Sequence, residues 1–147
     1  MKTRLLHQDG GHRTFIAVLS TGDEAMACLQ QLARDQNLSA AHVSALGAFA
    51  DAELKFFDWE RKAYLPIPVD EQAEVASLVG DIALDAQGAP ALHIHVVLGK
   101  RDGTAVAGHL AKGHVRPTLE VVIEETPAHL HRLEDPKTGL ALIRLEK

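Results

Sequence analysis

His93 and His95 form a His-x-His pair in Leu92-His93-Ile94-His95-Val96, and His109 follows in Gly108-His109-Leu110. Side chains alternate along a strand, so His93 and His95 share one face while Leu92, Ile94, Val96 and Leu98 line the other. Between them, Arg101-Asp102-Gly103 fits a three-residue hairpin loop, a type I turn closed by a glycine in the left-handed conformation. That loop pairs Lys100 with Thr104 and sets His95 opposite His109. A slip of one residue would turn His109 to the apolar side, so the hydrophobic pattern selects the same register. Three imidazoles placed this way can converge on one ion with bonds of about 2.0–2.1 Å. Three neutral nitrogen donors leave a coordination position open, as in catalytic or ligand-binding sites rather than closed structural ones. The plain alternative is three polar residues on a solvated sheet face.

Other residues carry weaker chemistry. His129 and His131 repeat the His-x-His spacing beside a polar turn, but nothing near them supplies a third ligand. His114, five residues past His109, could support the site or substitute for a ligand. Glu74 and Glu120 are acids inside apolar strands. Such residues usually face solvent, and the competing reading brings one to the histidines as a hydrogen-bond partner or general base. Arg116 could hold an anionic substrate beside a metal. Cys28 lies within a helical pattern and reads as a packed thiol. There is no Ser/His/Asp order, phosphate-cradling glycine loop or Cys-x-x-Cys pair, and Gly10-Gly11 precedes a strand rather than the helix a dinucleotide fingerprint needs.

The elements that position these residues are mostly strands. Residues 13–20 read as a first strand. Thr21-Gly22-Asp23-Glu24 has capping-box spacing, with Thr21 and Glu24 satisfying free amides reciprocally. A helix over about 23–36 buries Ala25, Met26, Leu29, Leu32 and Ala33 and stops at Asn37. Strands follow over 43–50, with Gly47 as a bulge or close-packing point, and over 52–57. Trp59 sits on the turn after them and reads as a local packing lid. Residues 63–69 carry Pro66 and Pro68, as an edge strand would. A long strand over 74–84 and a turn over 85–90 deliver the chain into the histidine hairpin. Thr118–Glu125 is strongly strand-forming, and a last hairpin flanks residues 134–138. Many antiparallel strands with one main helix predict an α+β domain.

The 147 residues suit one domain over 1–147, with 46% hydrophobic content that is ordinary for a globular protein. No apolar run is long enough to span a bilayer, and the N-terminus lacks a signal-peptide core. A single cysteine excludes an internal disulfide framework, so a cytoplasmic location is expected. Fifteen Lys and Arg against twenty Asp and Glu give a net charge of −5, and aromatic residues make up 4%. That balance does not support nucleic-acid binding through phosphate neutralisation or base stacking.

The sequence resembles the plants and prokaryotes conserved (PPC) domain. The resemblance rests on Thr21-Gly22-Asp23-Glu24, Val43–Ala48, Phe56-Phe57-Asp58, Glu74–Gly80, Leu92-His93-Ile94-His95, Gly108-His109-Leu110 and Leu119–Ile123, in that order along the chain. The His-x-His followed by Gly-His is the most specific part. The resemblance implies an α+β domain with a central antiparallel sheet, partly barrel-like, that assembles as a homotrimer. It also implies that His93, His95 and His109 bind metal, zinc or another divalent transition ion. Plant members add AT-hook segments that bind the DNA minor groove, and no Arg-Gly-Arg-Pro core or basic tail occurs here. The implied function is a DNA-associated regulatory or interaction module. The same fold group includes acetolactate decarboxylase, which suggests as an alternative a metal-dependent enzyme acting on a small oxo or hydroxy acid.

Overall fold

Alternation of apolar and polar residues builds most of the molecule, which a computed structural model describes over residues 1–145. The chain forms β1 (Lys2–Asp9), β2 (His12–Ser20), α1 (Ala25–Asp35), β3 (Ala40–Asp58), β4 (Ala63–Val69), β5 (Ala73–Leu84), β6 (Pro90–Gly99), β7 (Ala105–Glu125), β8 (His131–Glu134) and β9 (Ala141–Arg144). The fold is sheet-dominated with one short helix, more strongly so than the α+β expectation. No helix among the described residues is long and apolar enough to cross a membrane.

The sheet order is β1-β2-β7-β3-β5-β8-β9, with β4 on β3 and β6 joining β5 to β7. Strands β3, β5, β6 and β7 therefore pair in a closed ring. Inward positions such as Val43, Leu54, Leu78, Ile94, Val96, Leu98, Val121 and Ile123 are buried in one continuous core. Fully burying a side chain of this kind contributes about 1.5–3 kcal/mol. Alternate positions on the same strands, including His95 and Leu46, point outward and are exposed.

Helix α1 buries Ala25, Leu29, Leu32 and Ala33, and Gln30 ties it to β6 by donating to the Pro90 carbonyl at 2.7 Å. Its cap differs from the predicted box. Glu24 is itself the N-cap, its carboxylate accepting from the Met26 amide at 3.1 Å and the Ala27 amide at 2.7 Å. Thr21 instead donates to the Pro117 carbonyl at 3.2 Å. The same Glu24 carboxylate also accepts from the Gly113 amide at 3.0 Å, so it caps the helix and ties it to β7 at once. Asn37 ends the helix in the left-handed region, φ 51°, as expected.

Three further differences concern strands. The segments expected at 43–50 and 52–57 are one strand, β3, whose register shifts against β7 absorb irregularities without breaking the chain's course. Strand β7 likewise runs unbroken through Arg116-Pro117. Strand β1 is exposed at every position and pairs with β2 alone, so no buried face marks it in the sequence. Strand β4 matches its expected bounds and pairs only with β3, which suits its prolines. Trp59 is 58% exposed, its ring covered by the Lys62 ammonium rather than buried as a lid.

Candidate metal centre

The loop chemistry fixes the centre. The Lys100 amide donates to the Thr104 carbonyl at 2.8 Å, the Gly103 amide to the Lys100 carbonyl at 3.0 Å, and Gly103 takes φ +83°. The resulting ladder pairs Gly99 with Ala105, Val97 with Ala107 and His95 with His109. His93 lies one outward position along β6 and faces Asp81 of β5. Two glycines permit this close approach of strands. A Cβ on Gly80 would meet the His93 carbonyl oxygen at 2.3 Å, and one on Gly108 would meet the Lys55 carbonyl oxygen at 2.8 Å.

The structure thus brings His93, His95 and His109 together on the outside of the ring. Their rings are 4.1 Å apart between His95 and His109, 4.9 Å between His93 and His109, and 5.1 Å between His93 and His95. One nitrogen from each lies within 4.8 Å of the others. A tetrahedral ion with bonds of about 2.0–2.1 Å requires a tighter set, so the rings would have to close in on the ion. Among the described residues this is the one cluster of three or more potential ligands of that kind.

The protonation state of these imidazoles suits coordination. Burial, then the neighbouring His95 and His93, push His109 down to about 4. Burial and the Arg132 cation also lower His93 from its ordinary value. Both rings are consequently neutral near pH 7, the form that coordinates a metal. The donor set therefore fits a divalent transition ion.

The imidazoles sit at the wall of a cavity of about 460 Å³. Tyr64 from β4 places its hydroxyl 3.1 Å from Nε2 of His109, and its ring meets the His109 ring edge-on at 4.8 Å. Phe57 in turn packs edge-on against Tyr64 at 5.2 Å. Arg132 enters from β8 beside His93, and Leu92, Leu140 and Leu142 supply apolar wall. A metal with an open position here would face a phenol on one side and aliphatic surface on the other.

Other expected participants lie elsewhere. Glu74 is exposed at the far end of β5, opposite Gly99. Glu120 is exposed in a row between Val18 and Leu46. Arg116 is exposed on β7. None of the three lines the imidazole cavity, because strand position carries each away from it although each projects from the sheet. His114 pairs with Asp51 at 2.7 Å and His129 with the Ser39 hydroxyl at 2.7 Å, both outside the cluster. His131 is exposed on β8.

Asp81, Tyr64 and Arg132 were not anticipated. Asp81 had a readable signal: the Asp85 amide donates to the Ala89 carbonyl at 2.8 Å, and a turn closed there pairs Asp81 with His93. Tyr64 and Arg132 reach the site through long-range packing that no local pattern announces.

A sheet closed in part into a ring, with three outward histidines on adjacent strands, defines a class to which known proteins can be compared. The family model of the Plants and Prokaryotes Conserved (PCC) domain, also written PPC, matches residues 6–127, and the chain belongs to this family. Among solved structures, it is 32% identical to a metal-containing protein of Archaeoglobus fulgidus, covering 90% of this chain and 93% of that one, with a TM-score of 0.83. It is 26% identical to a PPC protein of Pyrococcus horikoshii, covering 99% and 96%, with a TM-score of 0.83. A Bacteroides thetaiotaomicron protein called a "putative DNA binding protein" is 25% identical over 99% of both chains, with a TM-score of 0.88. A Staphylococcus aureus protein described as similar to α-acetolactate decarboxylase shares the fold alone, at 15% identity and a TM-score of 0.54. Curated proteins give no match.

Proposed function

We propose that this chain is a metal-centred ligand-binding module in which His93, His95 and His109 hold zinc or another divalent transition metal. The observation that carries the reading is the convergence of three imidazoles, two of them held neutral, on the wall of an open cavity. The metal-containing relative from Archaeoglobus supports it. Metal analysis of the purified chain, before and after chelation, tests it. Roughly one equivalent per chain is expected, and a chain that neither carries nor takes up a divalent ion would refute the proposal.

The module assembles as a homotrimer in this reading. Val18, Leu46, Val79 and Val97 are exposed on the outward face of the sheet, and Val79 lies directly opposite His95. Apolar surface of this kind, running to the edge of a functional site, suits a subunit contact. Light scattering after size-exclusion chromatography measures the mass directly, and a monomer would sink the assembly.

The role of such a trimer is regulatory or interactive, in association with DNA. The name of the Bacteroides relative supports that association, whereas a net charge of −5 opposes a direct contact with phosphates. Contact through a partner fits both. An anisotropy titration at physiological salt, with and without zinc, separates these versions, since direct binding would appear without any partner.

A second reading, an enzyme acting on a small oxo or hydroxy acid, draws on the cavity and Tyr64. A bound ion would polarise a carbonyl or activate water. The chain's own contribution would be the Tyr64 hydroxyl, 3.1 Å from Nε2 of His109 and able to give or take a proton, beside the apolar wall of Leu92, Leu140 and Leu142. Tyr64→Phe should then abolish turnover while leaving metal content unchanged, and turnover surviving that change would remove Tyr64 from the mechanism.

A further inference from the structure

The strands of the C-terminal hairpin are exposed along their length except at one position, and that position is charged: Arg132 is 8% exposed. Hairpins ordinarily dock by burying apolar side chains, yet Leu133, Leu142 and Ile143 stay partly in solvent here. The hairpin lies beyond the residues 6–127 matched by the family. It joins the main sheet through one parallel bridge, Leu84 to His131, supported by the Leu84 amide donating to the Leu130 carbonyl at 2.8 Å.

Arg132 adds a side-chain connection. One terminal nitrogen donates to both carboxylate oxygens of Asp81, at 2.6 and 2.8 Å, and lies 3.1 Å from Nδ1 of His93. The other donates to the Ala141 carbonyl at 3.0 Å, on the hairpin's second strand. Asp81 and His93 are cross-strand partners, so one guanidinium spans a carboxylate, an imidazole of the cluster and the hairpin. Its Nε is buried without a protein partner, so the Asp81 contacts hold the side chain in place despite that cost.

A metal-bound imidazole ordinarily donates its other ring N–H to a carboxylate or carbonyl, and losing that partner weakens the site. Asp81 stands 3.8 Å from Nδ1 of His93. A guanidinium only donates, so of these two neighbours only Asp81 can accept a proton on that nitrogen, and the imidazole and carboxylate would have to close from 3.8 Å to make the bond.

We infer that Arg132 is a positioning residue of the metal centre: it fixes Asp81 beside His93, and it thereby couples docking of the β8–β9 hairpin to occupancy of the site. Coupling of this kind is reciprocal, so an ion that favours the Asp81-paired His93 also favours the docked hairpin. Leu140, Ala141 and Leu142 of the hairpin line the same cavity, so docking also sets how enclosed it is. The inference rests on the metal-centred reading above.

Cobalt(II) is the probe, because its visible bands report ligand geometry and chelator competition reports affinity. Arg132→Gln should weaken cobalt binding about 10–100-fold and change the band shape. Arg132→Lys should recover part of that affinity, and Asp81→Asn should reproduce the loss. Adding cobalt to the unmodified chain should slow amide exchange across residues 131–144, and Asp81→Asn should abolish that slowing. Unchanged affinity and spectrum in folded Arg132→Gln would overturn the inference while leaving the metal site standing. If Arg132→Gln fails to fold, unchanged affinity in Asp81→Asn overturns it equally. Absence of cobalt binding by the unmodified chain overturns both the inference and the reading beneath it.

Discussion

His95 and His109 stand directly opposite each other across the β6–β7 ladder, with ring centroids 4.1 Å apart. Both project outward while Ile94, Val96 and Leu110 beside them are buried. The imidazoles can therefore be removed without opening the core. His93→Ala, His95→Ala and His109→Ala should each retain the far-ultraviolet spectrum of the parent and lose metal. The loss of affinity should exceed the roughly 10–100-fold typical of removing an outer partner. Metal analysis of the three variants checks this, and retention of the ion in all three would remove the histidines from the site.

Acid should destabilise the metal-free chain through the same residues. An unfolded histidine titrates near pH 6.5, whereas folded His109 is held down to about 4 and folded His93 is lowered too. Between those values the unfolded state binds more protons, so stability falls as pH drops from about 6.5 toward 4. Protons also compete with the ion for the same nitrogens, so metal should leave over that range. Urea midpoints at about pH 7.5 and 5, with zinc and after chelation, measure both effects. A midpoint that does not fall with acid would mean that these rings are protonated in the folded state.

The register of the histidine hairpin was legible because its determinants are local. Arg101-Asp102-Gly103 dictates the turn, and strand parity carries that turn to His95 and His109. The Gly10-Gly11 hairpin was equally local: both residues take positive φ, 53° and 87°, and join β1 to β2. It stayed hidden because β1 has no buried face to complete the pattern. Glu24 as N-cap was not legible because the capping-box spacing points to Thr21, whose hydroxyl is drawn to the distant Pro117 carbonyl. Arg132 against Asp81 was not legible because its partner lies far along the chain. Glu74 and Glu120 illustrate the converse. An acid in an apolar strand announces an outward position, and only the assembled sheet tells which part of the outer surface that position occupies.

Gly80 tests how tightly β5 must approach β6 behind the site. Its missing side chain leaves room that a Cβ would fill at 2.3 Å from the His93 carbonyl oxygen and 2.9 Å from Cα of Ile94. Both obstacles are backbone, so neither can rotate away. Gly80→Ala should cost about 1–3 kcal/mol and shift His93, lowering metal affinity as well. Gly99→Ala is the matched control, because its Cβ would meet only the Glu74 carbonyl oxygen, at 4.0 Å. Urea unfolding of the two variants distinguishes close approach from a general effect of losing glycine. Equal midpoints would show that β6 can move aside.

Glu125 should govern stability without touching the metal. It is 6% exposed at the end of β7, accepting from the Ser39 amide at 3.0 Å and from Nε of Arg13 at 2.6 Å. Arg13 also donates to the Gln36 carbonyl at 2.9 Å, at the C-cap of α1. One carboxylate therefore gathers β2, the end of the helix and the approach to β3. Glu125→Ala leaves a partly buried cation and a buried amide without their acceptor, and breaking a buried pair in this way costs about 3–5 kcal/mol. Glu125→Gln keeps an acceptor for Ser39 while losing the charge opposite Arg13, so about 1–3 kcal/mol is expected. The histidine hairpin does not depend on this network, and both variants, if folded, should carry the parent's metal content. Urea unfolding together with metal analysis checks the separation, and metal loss in a folded Glu125→Gln would show that the two ends of β7 are coupled.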